Sequence, residues 1–303
     1  MPKRYHDLVQ DSARFEGFEF RDDDIIISTP PKCGTTWTQR LVSLLLFDST
    51  DLPTRMSHVS PWLEMNTRKL DDVLAELNAQ THRRFIKSHT PFDGLPDDKR
   101  VTYISVGRDL RDVAISWGHH FANTDMDALF AMRGEAVGFD DLIGAEPPEL
   151  PPDDPHGALM FWITHGDETS TIGDMPSTLH HIRTFWDRRD DPNVVVLHYS
   201  DIQRDVVGQM AYLAERLGLE RSHERLAELA PAASFEEMKS KASVVAPNSD
   251  QGLWKSTESF FHSGTSGQWR DMMTDEDVAI YDKRLAELAS PDFVDWLHNG
   301  SLS

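Results

Sequence analysis

The chain of 303 residues is poor in cysteine, in basic residues and in long apolar runs. Its one cysteine, Cys33, has no partner for an internal disulfide, which favours a reducing compartment, and we expect a cytoplasmic protein. Acidic residues outnumber basic ones by 51 to 30, and the formal net charge is −21. This balance disfavours nucleic acids and sulfated polysaccharides as partners, because both are bound through broad basic surfaces. The longest apolar stretch, at 41–47, is far too short to cross a bilayer, so no membrane span is predicted.

Four short apolar runs alternate with stretches of helical spacing. The runs are IIIST, FIKSH, VTYISV and NVVVLHYSD, at 25–29, 85–89, 101–106 and 193–201, and they are typical of buried strands. Helical spacing is found in TTWTQRLVSLLLF, GRDLRDVAISWGHHF and DVVGQMAYLAERLGL. This alternation predicts an α/β protein with a P-loop-like three-layer fold, in which helices flank a central, mainly parallel sheet.

The segment 123–157 interrupts this alternation. It is acidic, ends in PPELPPDDP and shows no regular pattern. Because a further strand and helix follow it, we interpret it as a mobile lid or insertion within one domain that covers residues 1–303. A second irregular stretch, 242–268, includes the two glycines of SGTSGQW.

The loop after the first strand, TPPKCGTTW at 29–37, is the clearest candidate for a binding site. Gly34 lets the backbone approach a ligand closely. Thr35 and Thr36 open a helix whose unpaired N–H groups and dipole favour an anion, and Lys32 adds a full positive charge. An ordinary turn between a strand and a helix does not require these residue types together. The loop therefore predicts an anion site.

This loop differs from the loop that binds nucleoside triphosphates. That pattern is GxxxxGK[ST], with the lysine directly after the second glycine. Here Lys32 precedes Gly34 by two residues, and Thr35 stands where the lysine belongs. A magnesium-dependent kinase or nucleotide hydrolase is therefore the less favoured interpretation.

TPPKCGTTW resembles the 5′-phosphosulfate loop, TYPKSGTTW, of the cytosolic-type sulfotransferases, and the chain looks like a bacterial member of that family. These enzymes use 3′-phosphoadenosine 5′-phosphosulfate (PAPS) and release 3′-phosphoadenosine 5′-phosphate (PAP), without a metal. The departures are Pro30 for tyrosine and Cys33 for serine. The resemblance implies that PAPS is the cosubstrate and that its 5′ end is bound by the loop residues Lys32, Cys33, Gly34, Thr35, Thr36 and Trp37.

FIKSHTPF resembles the family's K-T-H-x-P segment, and it matches at Lys87, His89 and Pro91. A histidine at the carboxyl end of a strand lies where open α/β sheets bind their ligands. With an ordinary pKa of about 6.5, a neutral imidazole accepts a proton at physiological pH. The resemblance implies that His89 is the general base. We expect Lys32 to stabilise the leaving oxygen and Lys87 to contact the sulfuryl group or position the donor.

GRDLRDVAIS resembles the segment that holds the 3′-phosphate, with an arginine and a serine eight residues apart, here Arg108 and Ser116. A guanidinium fork suits a phosphate because it donates two parallel hydrogen bonds. On the residues alone, an ion pair of Arg108 with Asp109 or Asp112 is an equally open interpretation.

HYSDI and ASFEEMK resemble two segments that surround the adenosine. The resemblance implies that the hydroxyl of Tyr199 approaches this group, while Phe235 and Met238 line the adenine pocket together with Trp37. Aromatic and thioether side chains suit a flat base. Met238 is equally well explained as a core residue.

The last segment departs from the family. Its pattern R-K-G-x-x-G-x-W clamps the 3′-phosphate, whereas this chain has His262, Ser263, Gly264, Gly267 and Trp269 at the corresponding positions and loses both permanent cations. The glycines can still present backbone N–H groups, and His262 can carry part of a charge. The family's dimerisation signature is absent after Trp269, which leaves the oligomeric state open.

The resemblance implies sulfuryl transfer to a hydroxyl or amine of a small molecule. Apolar residues in and near the 123–157 segment favour a small, apolar acceptor: Phe121, Met126, Phe130 and Met132. A catalytically inactive adenosine-phosphate-binding protein would keep the loop but lose the base, and His89 argues against it. Dehydration through a transient sulfate ester stays open.

Overall fold

The computed structural model of the protein describes residues 2–144, 149–170 and 173–301. Its centre is a parallel sheet in the order β2-β1-β3-β4. The strands are β1 (Ile25–Ser28), β2 (Phe85–Ser88), β3 (Thr102–Gly107) and β4 (Val194–His198). In register, Ile26 lies opposite Ile86 on one side and Tyr103 on the other. All four predicted strands and their parallel direction are confirmed.

Helices make up most of the remaining regular structure. In the described ranges these are α1 (Thr35–Phe47), α2 (Met56–Val59), α3 (Leu70–Ala79), α4 (Leu110–Asn123), α5 (Met126–Ala136), α6 (Pro155–Thr164), α7 (Met175–Trp186), α8 (Tyr199–Arg204), α9 (Val206–Arg216), α10 (His223–Leu229), α11 (Phe235–Ser240), α12 (Ala242–Val245), α13 (Asp275–Leu288) and α14 (Pro291–Asn299). Over the described part of the chain, none of them combines the length and the apolar character that crossing a membrane requires.

Both faces of the sheet are covered, which explains the continuous apolar strands. On one face, Ile26 packs in a core with residues of α4, α6 and α7. On the other face, Ile25 and Ile27 pack in a second core with residues of α1, α9 and α10. The predicted three-layer α/β fold is therefore confirmed.

The segment 123–157 has more regular structure than its sequence indicated. It contains α5, whose first turn is capped by the Asp125 side chain, and the start of α6, capped by Asp154. The sequence missed α5 because its one buried apolar residue is Leu129, which packs with Met65 and Leu253 in a small separate cluster. Residues 145–148 lie outside the described part of the chain. The lid and the single domain stay predictions.

A buried ion pair joins the amino ends of the neighbouring strands β1 and β2. Arg84, just before β2, donates from Nε to Oδ1 of Asp24, just before β1, at 2.9 Å, and its Nη2 contacts the second carboxylate oxygen. Both side chains are 1% exposed. Asp24 also accepts the Arg21 backbone N–H at 2.8 Å. This pair holds β1 and β2 together at the edge of the sheet opposite the predicted site.

We expect Asp24→Ala to lower the free energy of unfolding by about 3–5 kcal/mol, because it leaves the Arg84 guanidinium buried without a counter-charge. The measurement is the urea midpoint followed by circular dichroism. Asp22→Ala is the matched control, since Asp22 is exposed and contacts Arg100 at the surface. The free energy of unfolding should fall much less in Asp22→Ala than in Asp24→Ala. Equal losses in the two variants would contradict a structural role for the buried pair.

Candidate functional site

A predicted site residue follows each of the four parallel strands at its carboxyl end. Lys32 lies in the loop after β1, His89 follows β2, Arg108 follows β3 and Tyr199 follows β4. The carboxyl ends of parallel strands meet at one edge of a sheet, which is where open α/β folds bind ligands. Residues far apart in the sequence therefore converge on one place.

The phosphate loop, defined as residues 29–37, is shaped by two backbone positions with positive φ. Lys32 has φ 70° and Gly34 has φ 104°, and Gly34 is the N-cap of α1. A Cβ atom on Gly34 would lie 3.2 Å from Cδ2 of Tyr199, so the glycine also permits close packing. No side chain caps α1. The N–H groups of its first turn are therefore available to an anion.

The side chains of this loop have different roles. Thr35 is buried and its hydroxyl shares a hydrogen bond of 2.6 Å with the hydroxyl of Thr29, whereas Thr36 is half-buried. Cys33 is fully buried, and burial raises the pKa of its thiol to about 12. Its backbone N–H donates to the Pro30 carbonyl at 3.3 Å. The Cys33 side chain thus lies in the core, and Cys33 shapes the loop from its buried side.

Two lysines lie at the site with lowered pKa values. Burial, and then the charges of Arg108 and Lys87, lower the pKa of Lys32 to about 7. Burial lowers the pKa of Lys87 to about 8, although the Glu64 carboxylate opposes this. Their ammonium groups lie over aromatic rings, 4.8 Å from the Phe260 centroid for Lys32 and 4.2 Å from that of Trp62 for Lys87. An anion placed between these groups would favour their charged forms.

His89 is oriented as a base. Its Nδ1–H donates to the Thr29 carbonyl at 2.6 Å, which leaves the Nε2 lone pair free. Burial and the charge of Lys87 hold the pKa of the imidazole well below its ordinary value, so the ring is neutral at physiological pH. Trp62 packs edge-on against the ring, with centroids 4.7 Å apart. Glu64 accepts the His89 backbone N–H at 2.9 Å and so fixes the end of β2.

Arg108 contacts the phosphate loop. Its Nη1 donates to the Lys32 carbonyl at 2.8 Å, and its guanidinium lies 4.1 Å from the centroid of the Tyr199 ring. Asp109 is instead paired with Arg111, with contacts of 2.9 and 2.7 Å. Asp112 accepts the Gly267 N–H at 2.8 Å. Within the described ranges Arg108 forms an ion pair with neither aspartate, so the open interpretation of such a pair is wrong. Its Nε has no partner within the described ranges, and Ser116 is half-buried two turns along α4.

The predicted adenine residues form an aromatic group beside the loop. Trp37 packs edge-on against Tyr199 at 5.2 Å, and Phe235 packs edge-on against Phe261 at 6.3 Å. Met238 is 5% exposed and belongs to the core cluster that includes Phe261, which agrees with its interpretation as a core residue. Trp37 also packs against this cluster.

The segment that departs from the family lies against Phe235 and α4. A Cβ atom on Gly264 would lie 2.4 Å from the Phe235 ring, so only glycine fits there. Ser263 accepts a hydrogen bond from the side-chain amide of Gln268. The ring of His262 stacks on that of His119, with centroids 3.5 Å apart and planes inclined by 23°.

Several residues of the site carry no signal in the sequence. Trp62 and Glu64 belong to an irregular connection, and Trp254 and Phe260 belong to the irregular stretch 242–268. The His120 ring lies 5.0 Å from Trp254 and 6.0 Å from Phe260 between centroids. Burial and the charges of Lys32, Lys87 and His89 hold its pKa well below the ordinary value. Trp62, next to His89, and Trp254 pack against the same small core cluster, and we call these aromatic residues the aromatic cluster.

Metal ligands do not cluster in the described part of the chain. Across 2–144, 149–170 and 173–301, no group of three or more histidine, cysteine, aspartate or glutamate side chains is placed to hold a metal ion.

Comparison with known proteins identifies the family. A model of the sulfotransferase domain matches residues 22–291. A glycolipid sulfotransferase of Mycobacterium bovis is 42% identical over 313 aligned positions, which cover 98% of this chain and 94% of the relative. The predicted resemblance to sulfotransferases is therefore confirmed.

Two solved structures share the fold. Retinol dehydratase in complex with retinol and PAP has a TM-score of 0.71 and 22% identity, with 92% of this chain and 85% of that chain covered. A mouse sulfotransferase complexed with PAP has a TM-score of 0.69 and 21% identity, with 94% and 92% covered. At these identities the likeness shows the fold alone.

We expect Gly34→Ala to lower the free energy of unfolding by about 1–2 kcal/mol, because an alanine is strained at positive φ and its methyl group would press on Tyr199. Gly118→Ala is the matched control, because a Cβ atom on this glycine of α4 meets nothing within 4 Å. The control substitution should raise the free energy of unfolding by up to about 1 kcal/mol. Urea unfolding measures both, and a shift of the same sign in the two variants would contradict this account of the loop.

Proposed function

The chain belongs to the sulfotransferase domain family, and on that premise we propose that it transfers a sulfuryl group from PAPS to an acceptor hydroxyl and releases PAP. The observation that carries the proposal is the convergence of Lys32, Lys87 and His89 at the carboxyl edge of the sheet. This arrangement combines an anion site with a neutral base.

The reaction would proceed by in-line displacement. The acceptor oxygen forms a bond to sulfur while the bond from sulfur to the 5′-phosphate oxygen breaks, and Nε2 of His89 takes the acceptor proton. Negative charge then grows on the 5′-phosphate. Lys32, Thr36 and the N–H groups at the start of α1 would stabilise this charge. Lys87 would contact the sulfuryl oxygens.

The donor would lie along the loop, with its nucleoside between Trp37, Tyr199 and Phe235. The 3′-phosphate would be bound by Arg108 and Ser116 together with the segment 262–264. Two observations support this placement: Arg108 bonds to the loop carbonyl, and its Nε has no partner in the described part of the chain. The two solved structures with the same fold contain PAP.

The acceptor would be a sugar hydroxyl of a glycolipid. The relative with 42% identity is a glycolipid sulfotransferase, and the aromatic cluster would supply flat apolar faces to the C–H groups of a sugar ring beside His89. The segment 123–157 would act as a lid over the acceptor. Its first residues contact the aromatic cluster, because Asp125 N–H donates to the Leu253 carbonyl at 2.9 Å and Thr124 forms a bridge with Trp254.

We expect His89→Ala to lower kcat by about 10²–10⁴, the usual contribution of a well-placed general base, and to leave PAP affinity nearly unchanged. The assay follows transfer of label from PAPS to octyl glucoside, a simple glycolipid analogue. His223→Ala, at an exposed position in α10, is the matched control and should retain full activity. Full activity in His89→Ala would overturn the assignment of the base.

We expect PAP to bind without magnesium at micromolar affinity, and ATP to bind far more weakly, because the loop lacks the features of a triphosphate site. Lys32→Ala should weaken PAP binding by at least about tenfold, since it removes a charge that faces the phosphate. Isothermal titration calorimetry measures both ligands. Preferential binding of magnesium–ATP would favour the kinase interpretation instead.

A further inference from the structure

We propose that His119 and His262 form a titratable pair that binds the 3′-phosphate of PAPS and takes up a proton when the phosphate arrives. The inference rests on the proposed function, because it assigns the pair to the donor site. It concerns the positions at which this chain lacks the family's two permanent cations.

The pair lies between the two segments that the 3′-phosphate is expected to contact. His119 is one turn after Ser116 on α4, and His262 is two residues before Gly264, whose backbone rests on Phe235. Stacking at 3.5 Å fixes the two rings relative to each other. Both side chains are exposed, and within the described ranges neither ring accepts or donates a hydrogen bond. Their nitrogen atoms are therefore available to a ligand.

The charges that face the pair are positive. Lys32 of the phosphate loop faces both rings, and Lys239 of α11 faces His262. Partial burial of the rings is the first cause of the lowered pKa of each imidazole. The charges of these lysines lower the pKa further, and for His119 the charge of His262 does so too. The turn at 268–271 also packs on α4, and its charged residues are Arg270 and Asp271.

Other carboxylates on the neighbouring elements have partners of their own. Asp112 of α4 accepts the Gly267 N–H at 2.8 Å, Glu237 of α11 pairs with Lys241 at 2.8 Å, and Glu258 accepts the Ser256 hydroxyl at 3.2 Å. None of them raises the pKa of either ring. The pair is therefore neutral at physiological pH until an anion arrives.

A phosphate dianion reverses this balance. Its charge favours the imidazolium form, and each N–H⁺···O⁻ contact is a charge-assisted hydrogen bond. The pKa of the pair is then higher in the complex than in the free protein, so binding takes up a proton. Affinity rises as the pH falls between these two pKa values, by at most about tenfold per pH unit for one proton. The second pKa of a phosphate, about 6, works in the opposite direction because it removes charge from the ligand.

Proton uptake is the direct test. Calorimetric titration of the full chain with PAP at about pH 7, in two buffers of different ionisation enthalpy, gives the number of protons bound. We expect greater uptake for PAP than for AMP, which lacks the 3′-phosphate; the uptake with AMP measures the contribution of Lys32, whose pKa of about 7 a bound 5′-phosphate raises. His262→Arg should bind PAP with an uptake no greater than that of AMP and with an affinity that rises less steeply as the pH falls than in wild type. His119→Gln keeps a hydrogen-bonding side chain but removes one imidazole, and it should reduce the uptake.

The outcomes separate this inference from the proposed function. Tight PAP binding with no proton uptake, or with the same uptake in wild type and both variants, would overturn the histidine pair and leave the sulfotransferase proposal intact. Absence of PAP binding by wild type and His262→Arg at every pH would overturn both. Circular dichroism melting curves identify a variant that fails to fold, and the other variant then supplies the comparison.

Discussion

The burial of several cationic side chains close together is the constraint on which this site depends. Lys32, Lys87 and Arg108 lie at one edge of the sheet in a chain whose formal net charge is −21. Burial lowers the pKa values of both lysines, and the charges of Arg108 and Lys87 lower that of Lys32 further, so a bound anion would favour the charged forms. Burial and then the charge of Lys87 keep His89 neutral, and the charge of Lys32 acts in the same direction. In the proposed function, anion binding and base catalysis would be two consequences of one electrostatic arrangement.

The rigid frame maintains this arrangement. Parallel pairing aligns the ends of four strands, and apolar cores on both faces prevent the sheet from shifting. At the opposite edge, Arg84 and Asp24 join β1 to β2. Near the site, hydrogen bonds to backbone carbonyls hold two side chains in place. The Thr29 carbonyl accepts from the His89 ring, and the Lys32 carbonyl accepts from Arg108. Small displacements of these groups would weaken catalysis, because the reacting atoms must be aligned.

Under the proposed function, the 3′-phosphate of the donor would be bound differently from the pattern of the family. Histidine and serine stand at 262 and 263 in place of permanent cations, and His119 lies against the first of them. Gly264 and Gly267 remain, and both have positive φ. Fixed charges at this position would add to the repulsion from Lys32 and Lys239. A pair that becomes charged only with the ligand avoids that cost in the free protein.

The sequence by itself determined what depends on local pattern. The sequence predicted the four strands, α1, the anion loop and the histidine after β2. Each of these predictions depends on a pattern within a few residues: apolar spacing, a glycine at the start of a helix or a familiar motif. Tertiary structure alone decided which distant groups meet. It brought the Glu64 carboxylate to the backbone N–H of His89 and directed the Cys33 side chain into the core. It also brought Arg108 to the loop instead of Asp109, and stacked His119 on His262. These contacts join irregular segments whose positions depend on packing across the whole fold, and such packing leaves no periodic signal in the sequence.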